Sequence, residues 1–235
     1  MYIDTIAAVS SPPGASARGI VRLSGPRAIE AARGCFCPND AASWDGAGHS
    51  RLEGRLKLGQ RLELPASAFL FRAPRSYTRE DVLEIHVPGS PGLLALVMDA
   101  LLAAGARPAE AGEFTSRALH NGALDLMRAE GVAEMIHARS DGQLRAARRL
   151  LDGALSRDAD AARDELDDLR ALVEAALDFA DEDIEFISRD ELVERLRRVA
   201  ERLSTAAASD QRVERLAEPP RIVLAGPPNA GKSTL

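Results

Sequence analysis

Hydrophobic positions along the chain follow two different periods, and the change from one to the other comes near residue 113. Before it, short apolar runs alternate with polar breaks. Ile3–Val9 reads as a strand, closed by the breaker cluster Ser11-Pro12-Pro13-Gly14. Gly19–Leu23 is a second strand, after which Ser24 is placed to cap a short helix starting near Pro26. Residues 38–50, rich in Pro, Gly, Asn and Asp, read as loop. Arg51–Leu58, Ala66–Phe71 and Val82–Val87 carry β-type patterns, the last setting Val82, Glu84 and His86 against Leu83, Ile85 and Val87. A helix over Pro91–Ala104 follows, stopped by Gly105 and Pro108.

Beyond 113 the spacing becomes helical. Val132, Met135 and Ile136 share a face, as do Leu144, Ala147 and Leu151. Leu166, Leu169, Val173, Ala176 and Leu177 keep the three-four step, and Leu192, Leu196, Val199 and Leu203 resume it. These stripes predict the packing faces of a helical bundle. Between the last two lies an acidic break, Asp178, Asp181, Glu182, Asp183 and Glu185, which predicts a solvated turn because such a cluster repels itself when buried. Pro219-Pro220 ends the final helix, and Arg221–Ala225 reads as a buried strand.

Directly after that strand stands Gly226-Pro227-Pro228-Asn229-Ala230-Gly231-Lys232-Ser233, a full match to the phosphate-binding pattern G-x-x-x-x-G-K-[ST]. Its glycines let backbone N–H groups turn inward onto phosphate oxygens. Lys232 sets a charge on the β- and γ-phosphates, and the Ser233 hydroxyl reaches Mg²⁺. Hydrolysis needs more: a Walker-B type Asp, residues that order water, and switch segments. None of these lies within the 235 residues, so the chain alone is expected to be inactive and to bind GTP poorly.

Composition narrows the remaining choices. With 30 Lys+Arg against 36 Asp+Glu the net charge is −6, which disfavours a basic nucleic-acid glove, and 4% aromatic residues disfavour base-stacking platforms. Arg145, Arg148 and Arg149 form a small basic group that reads as a solvated helix face. Cys35 and Cys37, one residue apart, match no usual zinc spacing and close no long loop, so they read as reduced thiols. His49, His86, His120 and His137 show no ligand spacing. The N-terminus lacks a signal-peptide pattern, and the apolar stretch 93–104 is too short to span a bilayer, which points to a cytoplasmic protein.

Several segments, in order and spacing, resemble the N-terminal half of the MnmE/TrmE family of tRNA modification GTPases. They are Asp4-Thr5-Ile6-Ala7-Ala8, Ser11–Gly14, Gly19–Gly25, Ser76–Glu84, Gly112–Ala118, Ala129–Glu134, Asp178–Ile184 and Gly226–Leu235. The resemblance implies an α+β chain in three parts. Residues 1–118 would form a folate-binding, aminomethyltransferase-like α/β domain that dimerises. Residues 119–218 would be the first part of a helical domain, and 219–235 the start of a GTPase domain that ends inside the P-loop. It further implies addition of a carboxymethylaminomethyl group to the wobble uridine 34 of tRNA, together with an MnmG-type flavoprotein. Cofactors implied are GTP, Mg²⁺, K⁺ and 5-formyl- or methylene-tetrahydrofolate. By the same resemblance Arg22 and Glu84 contact folate, Asn229, Ala230, Gly231, Lys232, Ser233 and Thr234 hold GTP, Asn229 meets K⁺, and Ser233 meets Mg²⁺.

The side-chain chemistry of the first pair suits that role: a guanidinium pairs with folate carboxylates, and a carboxylate accepts from pterin N–H groups. Two positions depart from the family pattern. Pro88 stands in a loop usually rich in His-Gly-Gly, and Ala123 replaces a basic residue. Other readings are a stand-alone folate or one-carbon binding module and a structural dimer without ligand.

Overall fold

The alternation around Val82 sits at the centre of a seven-stranded sheet. The computed structural model describes residues 3–40, 44, 48–59, 62–179, 185–217 and 225–226. Contacts divide the chain into one unit, Met1–Ala129, and a second, Glu130–Leu235.

In the first unit the strands are β1 (Ile6–Val9), β2 (Ser16–Ser24), β3 (Phe36–Pro38), β4 (Ser50–Leu58), β5 (Leu62–Phe71), β6 (Val82–Gly89) and β7 (Arg107–Pro108). They lie in the order β3-β4-β5-β6-β2-β1-β7, and every neighbouring pair is antiparallel except β1 with β7. Three helices accompany them: α1 (Ala28–Arg33), α2 (Pro91–Ala103) and α3 (Glu113–His120). The two-residue period sends Val21, Leu23, Leu83, Ile85, Ala68, Leu70, Leu52 and Leu56 to one face. There they close a core with Leu94, Val97 and Leu101 of α2, Ala28, Ala31 and Ala32 of α1, and the aromatic pair Phe36–Trp44. Gly54 is required where β3 crosses β4, since a Cβ there would run into the Cys37 carbonyl and lie 2.7 Å from Pro38 Cα.

The expected strands and the 91–103 helix are present, with shifted ends. Strand β1 starts only at Ile6, and Ile3 is exposed. Strands β3 and β7 are too short to leave a periodic signal. Ser24 corrects an expectation: it does not cap α1. Its hydroxyl is fully buried against Thr78 Oγ1 (2.6 Å) and Glu80 Oε2 (2.7 Å), while Thr5 Oγ1 accepts from the Arg27 N–H at 2.9 Å. A buried carboxylate outcompetes a helix end that a nearby threonine already satisfies.

The second unit is helical: most of α4 (Leu126–His137, which crosses the division), α5 (Asp141–Leu151), α6 (Ala154–Asp178) and α7 (Arg189–Ala217). The Ser140 hydroxyl accepts from Gln143 N–H and starts α5. Gly131 lets α4 approach α5 closely, its absent Cβ falling 2.9 Å from both Leu150 Cβ and the Leu151 nitrogen. Arg195 of α7 reaches Glu165 of α6 at 2.6 Å. The stripes are buried along their centres, at Ala147, Leu169 and Val199. Ile136, Leu166, Leu177, Leu196 and Leu203 on the same stripes are exposed, because three-four spacing produces a stripe wider than the seam two helices share. Arg145 and Arg148 are exposed and pair with Asp141 of their own helix and with Asp152 just past its end. The acidic turn at 180–184 and the strand at 221–224 lie outside the described residues.

Candidate functional site

Strands β2 and β6 pair in a register that sets Arg22 directly opposite Glu84. Both side chains fall on the sheet face away from α2, where cross-strand neighbours of opposite charge meet. Arg22 Nε and Nη2 reach Glu84 Oε1 at 2.8 and 2.7 Å, with the side chains 32% and 16% exposed. The pair belongs to a longer strip. The Arg22 guanidinium lies 5.8 Å from the Phe114 ring of α3. On the other side, His86 Nε2 stands 3.1 Å from Glu84 Oε2, and the His86 ring packs on Phe69 of β5 at 4.6 Å between centroids. Arg51 of β4 then covers Phe69 at 5.9 Å. Cation, carboxylate and ring groups thus run across β4, β5, β6, β2 and α3. Beside them opens a cavity of about 350 Å³ lined by Arg18, Arg51, Ser67, Phe69, His86 and Pro88.

This face sets guanidinium donors and a carboxylate acceptor side by side. Arg22 uses two of its five guanidinium N–H groups on Glu84 Oε1, which fills that oxygen, while Glu84 Oε2, met by His86, has a lone pair to spare. Pro88 is exposed at the cavity rim, and Ala123 donates its N–H to the Ala118 carbonyl at 2.7 Å. Neither alanine nor proline side chain supplies a charge there.

A second polar cluster lies where α3 meets the sheet. Arg117 is fully buried and donates to the Asp4 carbonyl (3.0 Å), Asp4 Oδ1 (2.8 Å), Glu113 Oε1 (3.1 Å) and Glu80 Oε2 (3.2 Å). Burial works against its charge, but Glu113, Glu80 and Asp4 raise its pKa all the same. Arg107 completes the cluster, contacting Asp4 Oδ2 at 2.6 Å and Glu113 through two nitrogens. Hydrogen bonds from Arg107, against the cost of burial, hold the Glu113 carboxyl down at about 2. Desolvation pushes Asp4 upward, yet Arg107 and Arg117 keep it below the ordinary range. Asp4, Glu80, Glu113 and Arg117 fall within the family-like segments, and Arg107 falls in none of them. The one local signal was Glu113 and Arg117 at helical i,i+4 spacing; Asp4 and Glu80 join from far along the chain.

The P-loop residues Asn229, Ala230, Gly231, Lys232, Ser233 and Thr234 lie outside the described residues; of that motif only Gly226 is described, exposed and without regular structure. Cys35 is buried, its thiol pushed up to about 12 by burial and then by Cys37, which is exposed on β3. No helix among the described residues is long and apolar enough to cross a membrane.

Comparison with known proteins gives two family matches. Residues 5–123 match a family described as the N-terminus of the GTP-binding protein TrmE, and residues 126–218 match the MnmE helical domain. Among curated relatives, the tRNA modification GTPase MnmE of Chlorobium luteolum is 43% identical over 233 residues, covering 98% of this chain and 49% of the relative. The same-named protein of Thermus thermophilus is 40% identical over 240 residues, 99% of this chain and 53% of the relative. That of Legionella pneumophila is 40% identical over 242 residues, 100% and 52%. The chain spans about half the length of the curated relatives it matches.

Proposed function

The chain belongs to the MnmE/TrmE family of tRNA modification GTPases, and from that premise we propose that its sheet unit is the folate-binding and dimerising module of a wobble-uridine-modifying enzyme. In this reading the intact enzyme binds and hydrolyses GTP and works with an MnmG-type flavoprotein on tRNA. Lys232 and the backbone from Asn229 to Thr234 hold the GTP phosphates, Ser233 binds Mg²⁺, and Asn229 contacts K⁺. Reduced folate carries the one-carbon unit. Arg22 receives a carboxylate of that ligand, and Glu84 accepts from its pterin N–H groups.

The observation that carries the folate part is the Arg22–Glu84 pair, partly open to solvent in a strip whose His86 and Phe69 line a cavity, with unused donors on Arg22 and a free lone pair on Glu84 Oε2. Its placement supports the role better than an ordinary surface ion pair does, because an exposed strand pair needs neither the Phe114 ring nor a neighbouring cavity.

Calorimetric titration of the chain with 5-formyltetrahydrofolate tests the reading. Saturable binding is expected, weakened tenfold or more by Arg22→Ala and by Glu84→Gln, the loss anticipated for one charge-assisted hydrogen bond. Absence of heat at millimolar ligand overturns it. Light scattering tests dimerisation on the same sample, and a monomer removes that part of the proposal.

A further inference from the structure

His86 has the geometry of a site residue, although nothing in its sequence spacing marks it. It projects from β6 two residues beyond Glu84, on the same face, and is paired in register with Ile20 of β2 and Ser67 of β5. Its side chain is 12% exposed, pressed against Phe69, and it lines the cavity beside the Arg22–Glu84 pair. A carboxylate salt-bridged to arginine only accepts hydrogen bonds, so the imidazole proton belongs on Nε2, facing Glu84 Oε2. The other nitrogen, Nδ1, is buried with no hydrogen-bond partner among the described residues. A histidine kept only for packing gains nothing from a buried, unpaired nitrogen, since leaving such a group unsatisfied is costly. The arrangement makes sense if the ring is fixed for the sake of its Nε2 contact.

We propose that His86 is a positioning residue for Glu84, holding the second carboxylate oxygen so that the group stands fixed between Arg22 and the cavity, ready for the N–H groups of a pterin. The proposal rests on the folate reading given above. Glu84 without His86 is held at one oxygen only, so rotation of the whole carboxylate about Cγ–Cδ is resisted by Arg22 alone. With His86 both oxygens are anchored by fixed partners: Arg22, over the Phe114 ring, and His86, packed at a tilt against Phe69. Oε1 is filled by the two arginine contacts, and Oε2 keeps a lone pair for a ligand. Preorganisation of this kind raises affinity by removing an ordering cost from the binding step.

Two variants and one spectrum test it. Glutamine places an amide N–H close to where Nε2 stands but has no ring; alanine removes the donor. With 5-formyltetrahydrofolate as the titrant, His86→Ala is expected to bind roughly tenfold more weakly than the unmodified chain. His86→Gln is expected to recover most of that loss, within about threefold of the unmodified chain. Equal binding by the alanine variant overturns the proposal, and so does an equal loss in both variants, which would mean that ring packing alone matters.

Long-range ¹⁵N–¹H spectra of the histidine ring give a reading that needs no ligand. At pH 7.5 the Nε2-protonated tautomer is expected, with its nitrogen shifts moving in Glu84→Gln. An Nδ1-protonated ring, or one indifferent to Glu84→Gln, overturns the proposal. If the unmodified chain binds no folate, the folate reading fails, and the tautomer spectrum alone then decides the His86–Glu84 arrangement.

Discussion

Replacing Arg117 by methionine removes one buried cation and leaves the side-chain volume largely in place. The consequences differ among its three acidic partners. Asp4 and Glu113 keep Arg107, which contacts them at 2.6 Å and at 2.5 and 2.9 Å. Glu80 does not. It is 6% exposed, and after the substitution its remaining side-chain partner is the Ser24 hydroxyl at 2.7 Å. Stripping the partner from a buried charge costs about 3–5 kcal/mol, and one neutral hydroxyl offsets little of that.

The loss should therefore fall mainly on Glu80, which a second substitution can check. Glu80→Gln keeps the shape and the acceptor oxygen but discards the charge, so Arg117→Met with Glu80→Gln should cost less than the sum of the two singles by about 1–3 kcal/mol. Urea denaturation followed by the fluorescence of Trp44, the sole tryptophan and a core residue of the sheet unit, reads this unit by itself. A loss below about 1 kcal/mol for Arg117→Met, or strict additivity in the double variant, refutes the reasoning.

Acid should act on the same cluster. The Glu113 carboxyl titrates at about 2 in the folded chain against 4.5 ordinarily, a depressed value. Its contribution of about 3 kcal/mol is therefore present above pH 4.5 and lost as pH falls toward 2, and Glu113→Gln should flatten the stability profile in that window. An unchanged profile on acid titration contradicts this assignment. Gly54→Val should displace β3 and cost about 1–3 kcal/mol by overpacking, seen as a lower melting temperature by Trp44 fluorescence, and an unchanged melt would mean the strand crossing is looser than described. With a disulfide-exchange reagent at pH 8, one thiol should react quickly, Cys37, while Cys35 reacts only on unfolding; two fast equivalents count against the buried, proton-retaining Cys35.

What the sequence disclosed was what repeats or runs locally. The period-two pattern of Val82–Val87 and the stop signals around Pro91–Ala104 located β6 and α2, because one buried face dictates each pattern. Strands of two or three residues, β3 and β7, carry no period, and only their neighbours' free edges create them. Ser24 misled for a related reason: its local context suits a cap, but Thr78 and Glu80, more than fifty residues away, claim its hydroxyl. The site divides in the same way. Arg22 and Glu84 were reached through family resemblance, and pattern alone could not have paired them across 62 residues. His86 shows no metal spacing, and its contacts, a carboxylate two residues back and a ring on the adjacent strand, leave no periodic signal.

The two arginine–carboxylate clusters of the sheet unit also show why proximity of opposite charges does not by itself indicate function. Arg117 is completely enclosed and spread over three acidic residues and a carbonyl, so the group is consumed in holding α3 to the segment before β1 and to the loop before β6. Its charge has no route to a ligand. Arg22 is a third exposed and meets one carboxylate oxygen, in a strip whose His86 and Phe69 line a cavity, so its remaining N–H groups can take a ligand anion without breaking the pair that is already there. The clusters are nevertheless linked through α3. Phe114, which lies against Arg22, is one turn from Arg117, so whatever loosens the buried cluster also shifts the wall of the open one. Arg117→Met should then weaken folate binding as well as stability, even under conditions where the chain remains folded.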